Sequence, residues 1–125
     1  AGVDAARARL REAELTYRAT LLDALQQVEA AFVAAGAAAT RQAALVRAVA
    51  AADAAVEQAL ALYTAGLSGA LDLIDARRSA LAQQRQLLRA RGDAAREAVA
   101  VFEALGLVED GAGTELSAQG MAAGA

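Results

Sequence analysis

The chain has 125 residues and a mass of 12.6 kDa, with 40 alanines, 17 leucines and no proline, histidine, cysteine, tryptophan or lysine. All 12 basic residues are arginine, and the 15 acids leave a net charge of −3. Without His or Cys there is no Ser–His or Cys–His nucleophile pair, no imidazole acid–base and no zinc site. The acids are mostly dispersed, so no carboxylate cluster stands ready for Mg²⁺ or Ca²⁺. No catalytic residue, metal ligand or cofactor site is expected, and the acidic balance supplies no field for nucleic acid. No apolar run approaches the ~18 residues of a membrane span.

Alanine has the best helix propensity, with leucine and arginine close behind, and nothing here breaks a helix outright. The sequence therefore predicts an all-α chain. Beside the 40 alanines stand only 32 larger apolar residues, a composition suited to thin layers and close helix–helix approach rather than a thick interior.

The first predicted helix runs from about Val3 to Ala65, with Gly36 as its single glycine. One seven-residue row holds Leu21, Val28, Ala35, Gln42, Val49, Val56 and Tyr63. A second holds Leu25, Phe32, Ala39, Val46, Asp53 and Leu60. Spacings of four and three alternate between them, the pattern of a left-handed coiled-coil seam. The expected helix seam is therefore Leu21, Leu25, Val28, Phe32, Val46, Val49, Val56 and Leu60.

Gly66, Ser68 and Gly69 form the strongest turn signal in the body of the chain, so a turn is predicted over 66–69. A second helix then runs from about Ala70 to Leu105, with Gly106 as its stop. It adds Ile74, Leu81, Leu88 and Phe102 to the seam, flanked by a row of Leu73, Ala80, Leu87, Ala94 and Val101. Two adjacent apolar rows are wider than one partner helix needs, which implies more than one neighbour. Arg78 and Arg85 interrupt an otherwise apolar row, and Arg77 and Arg78 stand within reach of the preceding aspartates. Residues 107–125 read as a flexible tail.

A helix of this length would extend roughly 95 Å at 1.5 Å per residue, whereas a compact domain of this size is only about 35 Å across. The expectation is a long antiparallel helical hairpin with unequal arms, over residues 1–106. Folding back at the turn sets Leu105 near residue 29. Residues 3–28, with Leu10, Leu15, Tyr17, Leu21, Leu22 and Leu25, then lack a partner in the chain and mark an interface or a missing partner. Gly36 and Gly92 fall at one level, where a close backbone approach is one reading and drift in an alanine-rich sequence the other.

Three collinear blocks carry a resemblance. Tyr63 to Arg77 contains Tyr63-x-x-Gly66-x-x-x-x-Leu71-Asp72-Leu73-Ile74-Asp75-Ala76. Upstream, Tyr17-Arg18 leads to Ala24-Leu25 and Val28-Glu29; downstream stands Val101-Phe-Glu-Ala-Leu-Gly106. In order and spacing these resemble the TolC-like outer-membrane efflux factors over about residues 5–106. The resemblance implies a trimer whose full-length protomers build an outer-membrane β-barrel and a periplasmic α-helical tunnel. This chain would be a fragment, the tunnel hairpin of the second repeat. The barrel strands, the first repeat, a signal peptide and any lipidated cysteine would lie outside it.

By the same resemblance, Asp72 and Asp75 would line the periplasmic aperture, and their bland alternative is complementing the helix macrodipole. Ala65, Gly66, Leu67 and Ser68 would form the tip that docks a periplasmic adaptor protein. Ser68 stands where some relatives carry a gating arginine. The implied partners are other copies of the chain, the adaptor and an inner-membrane efflux transporter; the implied role is a passive conduit. The rival is a free-standing coiled-coil module that oligomerises through residues 3–28.

Overall fold

In a computed structural model, which describes the backbone of residues 2–123 and side-chain environments through residue 111 and at Gly113, the chain is an all-α helical hairpin. Helix α1 spans Gly2–Thr64 and helix α2 spans Ala70–Ala123. Gly36 does not interrupt α1, since one interior glycine costs only about 1 kcal/mol relative to alanine. Thr16, Thr20, Thr40 and Thr64 each donate a side-chain hydrogen bond to the carbonyl four residues earlier, which keeps these β-branched residues compatible with the helix.

The predicted stop at Gly106 is passed: α2 runs on to Ala123, and the arms, 63 and 54 residues long, are closer to equal than expected. Among the described residues only Gly66 has a positive φ, so Gly106 adopts no left-handed cap. Without a proline or a left-handed glycine, the alanine-rich chain has nothing to end the helix there.

Contacts divide the chain into two units, residues 34–97 and residues 1–33 with 98–125. In the first, the half-buried positions on α1 include Ala38, Gln42, Leu45, Val49, Ala52, Val56 and Ala59, again at alternating spacings of four and three. They face Leu73, Ala76, Ala80, Gln83, Leu87, Ala90 and Ala94, of which Ala80, Leu87 and Ala90 are buried. In the second unit Ala24, Val28 and Ala31 are half-buried on α1, with Val101, Val108 and the buried Ala104 on α2.

The seam between the helices is therefore turned by one residue from the expected one. Val28, Val49 and Val56 lie in it, but the second α1 row is Ala24, Ala31, Ala38, Leu45, Ala52 and Ala59. Leu21, Leu25, Phe32, Val46 and Leu60 are exposed. On α2 the flanking row with Leu87 turns inward, and Ile74, Leu81, Leu88 and Phe102 are exposed, Leu88 at 66% and Phe102 at 74%. Alanine at half of the facing positions lets the two backbones approach closely, and bulky side chains at the same positions would hold them apart.

Residues 3–28 are also less isolated than predicted. Within their unit, Tyr17, Thr20 and Leu21 share a groove of about 590 Å³ with Leu107, Val108 and Gly111, which the longer α2 brings alongside. Leu10, Leu15, Leu22 and Leu25 nevertheless stay exposed.

The register yields a direct test. Leu87 is 8% exposed, so Leu87→Ala should destabilise the hairpin by about 2–3 kcal/mol through lost burial and cavity formation. Leu88→Ala, on the open face, should change the unfolding free energy by less than about 0.5 kcal/mol. Urea unfolding followed by circular dichroism decides between them, and equal losses would return Leu88 to the seam.

Candidate functional site: the inter-helix turn

The turn is built from the last residues of α1 outward. Leu67 N–H donates to the Leu62 carbonyl at 2.9 Å, and Gly66 N–H donates to the Tyr63 carbonyl at 3.0 Å. These crossed bonds are the Schellman arrangement, which satisfies carbonyls that a helix end otherwise leaves open. Its left-handed residue is Gly66, at φ 74°. A side chain there would be strained, whereas glycine adopts this conformation freely.

Beyond the cap, Leu67 is the most exposed large apolar side chain of the turn, at 78%. Ser68 is half-buried, and its hydroxyl donates to Asp72 Oδ2 at 2.7 Å. That contact ties the turn to the first turn of α2, where the Asp72 carboxylate also complements the positive end of the helix dipole. Reading Ser68 as a turn and tip residue, and as the place of an absent arginine, missed this bond. The signal was present as a hydroxyl residue just before an acid-bearing helix start.

Asp75 lies one turn further along α2 and is exposed, with no hydrogen bond or ion pair among the described residues. Arg77 and Arg78 do not pair with either aspartate. Ion pairs among the described residues include Arg18–Glu14 at 2.9 Å and Arg96–Asp93. Asp75 and Arg78 have the right spacing, but an exposed pair gains at most about 1 kcal/mol and loses side-chain entropy, so reach alone does not form one.

Among the described residues no polar or charged side chain is fully buried, and no group of three or more acids is placed to hold a metal ion. Nor is any helix among them long and apolar enough to cross a membrane. What the turn offers is a capped tip with an exposed leucine, and two carboxylates behind it.

The profile of the outer membrane efflux protein family matches residues 1–107, both arms and the turn together. The chain belongs to the outer membrane efflux protein family. Proteins of this family are transport channels rather than enzymes. The matched region ends at Leu107, while α2 of this family member runs on to Ala123. No curated protein and no solved structure matches the chain.

Glycine positions separate what the turn requires from what the helices tolerate. A Cβ added at Gly36 meets nothing within 4 Å, and at Gly92 it meets only the Arg96 guanidinium at 3.7 Å. Neither glycine marks a close approach inside the hairpin. Gly66→Ala should therefore lower the stability by about 1 kcal/mol through backbone strain, while Gly36→Ala should raise it by up to about 1 kcal/mol. Thermal melts of the two variants test this, and a destabilised Gly36→Ala would show that the level is tighter than the structure has it.

Proposed function

We propose that the hairpin is a wall segment of the periplasmic tunnel of an outer-membrane efflux protein, in a tripartite pump that exports drugs or toxic solutes. The observation that carries the reading is the family match over residues 1–107, because it covers a helical hairpin together with its turn. The role is passive: a duct opened at its tip by partner proteins lets substrates driven by an inner-membrane transporter leave a Gram-negative cell. Ala65, Gly66, Leu67 and Ser68 form the tip on which the periplasmic adaptor docks. The exposed Leu67 supports this, since it leaves an apolar side chain at the tip for a partner to cover. The full-length protein is a trimer, and exposed Leu10, Leu15, Leu22 and Leu25 add a surface for self-association through residues 3–28.

Asp72 and Asp75 narrow the periplasmic mouth. Threefold symmetry gathers their carboxylates around one axis, where the summed field favours cations. Changing both to asparagine in the parent channel should lower its preference for cations over anions in planar bilayers. An unchanged preference would remove the aperture role from this pair.

Cell fractionation tests the reading as a whole. Antibody raised against this chain should detect, in the outer-membrane fraction of source cells, a band well above 12.6 kDa. A soluble band near the chain's own mass would sink the tunnel and leave a free-standing helical module.

A further inference from the structure

Half of the chain's arginines lie in one band across residues 34–97. Asp53 on α1 accepts a long hydrogen bond of 3.5 Å from Gln84 Nε2 on α2, so these two positions stand level. The antiparallel arms then set residues 40–52 of α1 alongside residues 85–97 of α2, over a height of about 18 Å. This band holds Arg41, Arg47, Arg85, Arg89, Arg91 and Arg96 against Asp93 and Glu97, a net charge of +4 in a chain whose net charge is −3. All six arginines are exposed. Arg96 pairs with Asp93, and the other five make no ion pair or hydrogen bond among the described residues.

The seam sorts these arginines by face. On α1 it is flanked on one side by the row of Val46, Asp53 and Leu60, and on the other by the row of Arg41, Ala48, Ala55 and Leu62. The Asp53–Gln84 bond puts the α2 row of Arg77, Gln84 and Arg91 on the first side. The row of Asp72, Ser79, Gln86 and Asp93 is left for the second. Asp75, Arg89 and Arg96, each three residues beyond a member of that row, widen the same side. One face therefore carries Asp72 and Asp75 near the turn, and Arg41, Arg89 and Arg96 roughly 20–30 Å further along.

We propose that Arg41, Arg89 and Arg96 bind the oxyanion groups of a soluble solute, phosphates or carboxylates spaced along its length. Arg89 and Arg96 share a row about 10 Å apart, and Arg41 stands level with Arg96 on the neighbouring helix. Each guanidinium offers a planar fork that takes two phosphate or carboxylate oxygens at once. Ala37 and Ala44, one turn to either side of Arg41, are too short to cover it. Asp93 already engages Arg96, so Arg41 and Arg89 supply most of the attraction. Unpaired like charges crowded into one band repel, and a multivalent anion relieves that repulsion.

The role in transport rests on the tunnel reading. A face that brings Asp72 and Asp75 to the mouth brings these arginines into the lumen behind it. An acidic mouth followed by a basic collar suits an amphoteric solute, with a cationic group for the first and acidic groups for the second.

Calorimetric titration of the full 125-residue chain with inorganic tripolyphosphate tests the site. Arg41→Gln with Arg89→Gln should weaken binding at least about tenfold. Arg77→Gln with Arg78→Gln removes the same charge nearer the turn and should change it by less than about threefold. Circular dichroism keeps loss of folding apart from loss of binding. No binding by the unaltered chain, or equal losses in the two variants, overturns the site and leaves the fractionation result untouched.

Planar bilayers holding the parent channel test the role. Tripolyphosphate added on the side away from the turn should reduce the current, and Arg41→Gln with Arg89→Gln should raise the half-blocking concentration at least about tenfold. An unblocked channel whose hairpin binds the anion overturns the role in transport. A soluble native protein that still binds through Arg41 and Arg89 overturns the tunnel and keeps the site.

Discussion

Everything in this hairpin depends on how closely its two helices approach. Alanine occupies about half of the facing positions, and of the buried residues among those described only Leu87 is bulky. Buried Ala80, Ala90 and Ala104 contribute little apolar area each, so the cohesion of the pair comes from close backbone approach along a narrow line. A narrow line cannot also hold the larger side chains. Phe32, Val46, Leu60, Ile74, Leu81, Leu88 and Phe102 are therefore left outside. The same choice that makes the hairpin thin makes it apolar on its outer faces.

That trade leaves more bulky apolar surface outside than a self-sufficient domain does. A globular protein of this length buries its bulk and shows its small residues; this one does the reverse. Isolated exposed leucines need no explanation, but rows of them at heptad spacing do. Between them stand exposed charges, Asp53 and Glu57 on α1 and Arg78 and Arg85 on α2. Buried against a wrong neighbour they are costly, and set against the opposite sign they add selectivity more than strength.

Much of this was legible before any coordinates. Composition alone predicts helices, and the Gly66–Gly69 cluster locates the reversal, because no other stretch of the body combines glycines and a serine so closely. The heptad rows are equally plain. What periodicity does not carry is their phase. Ala24 and Leu25, or Leu87 and Leu88, are neighbours in sequence and both apolar, so the rows they head differ by about 100° around the helix. The expected seam turns the rows headed by Leu25 and Leu88 inward, whereas Ala24 and Leu87 are the members that face the partner helix. The clue was the row of Ala24, Ala31, Ala38, Ala52 and Ala59, broken only by Leu45, which a close-packed pair needs and an exposed face does not.

The end of α2 illustrates the opposite limit. Gly106 has the right residue type for a helix stop, as Gly66 does, yet only Gly66 takes the left-handed conformation. The difference lies in the residues C-terminal to each glycine. After Gly66 the chain meets Ser68, whose hydroxyl holds Asp72 and starts a new helix, so reversal is rewarded on both sides of the turn. After Gly106 come Leu107 and Val108, which continue along α1 and border a groove with Tyr17 and Leu21. A glycine permits a turn without commanding one. The side chains beyond it decide whether leaving the helix gains more than staying in it.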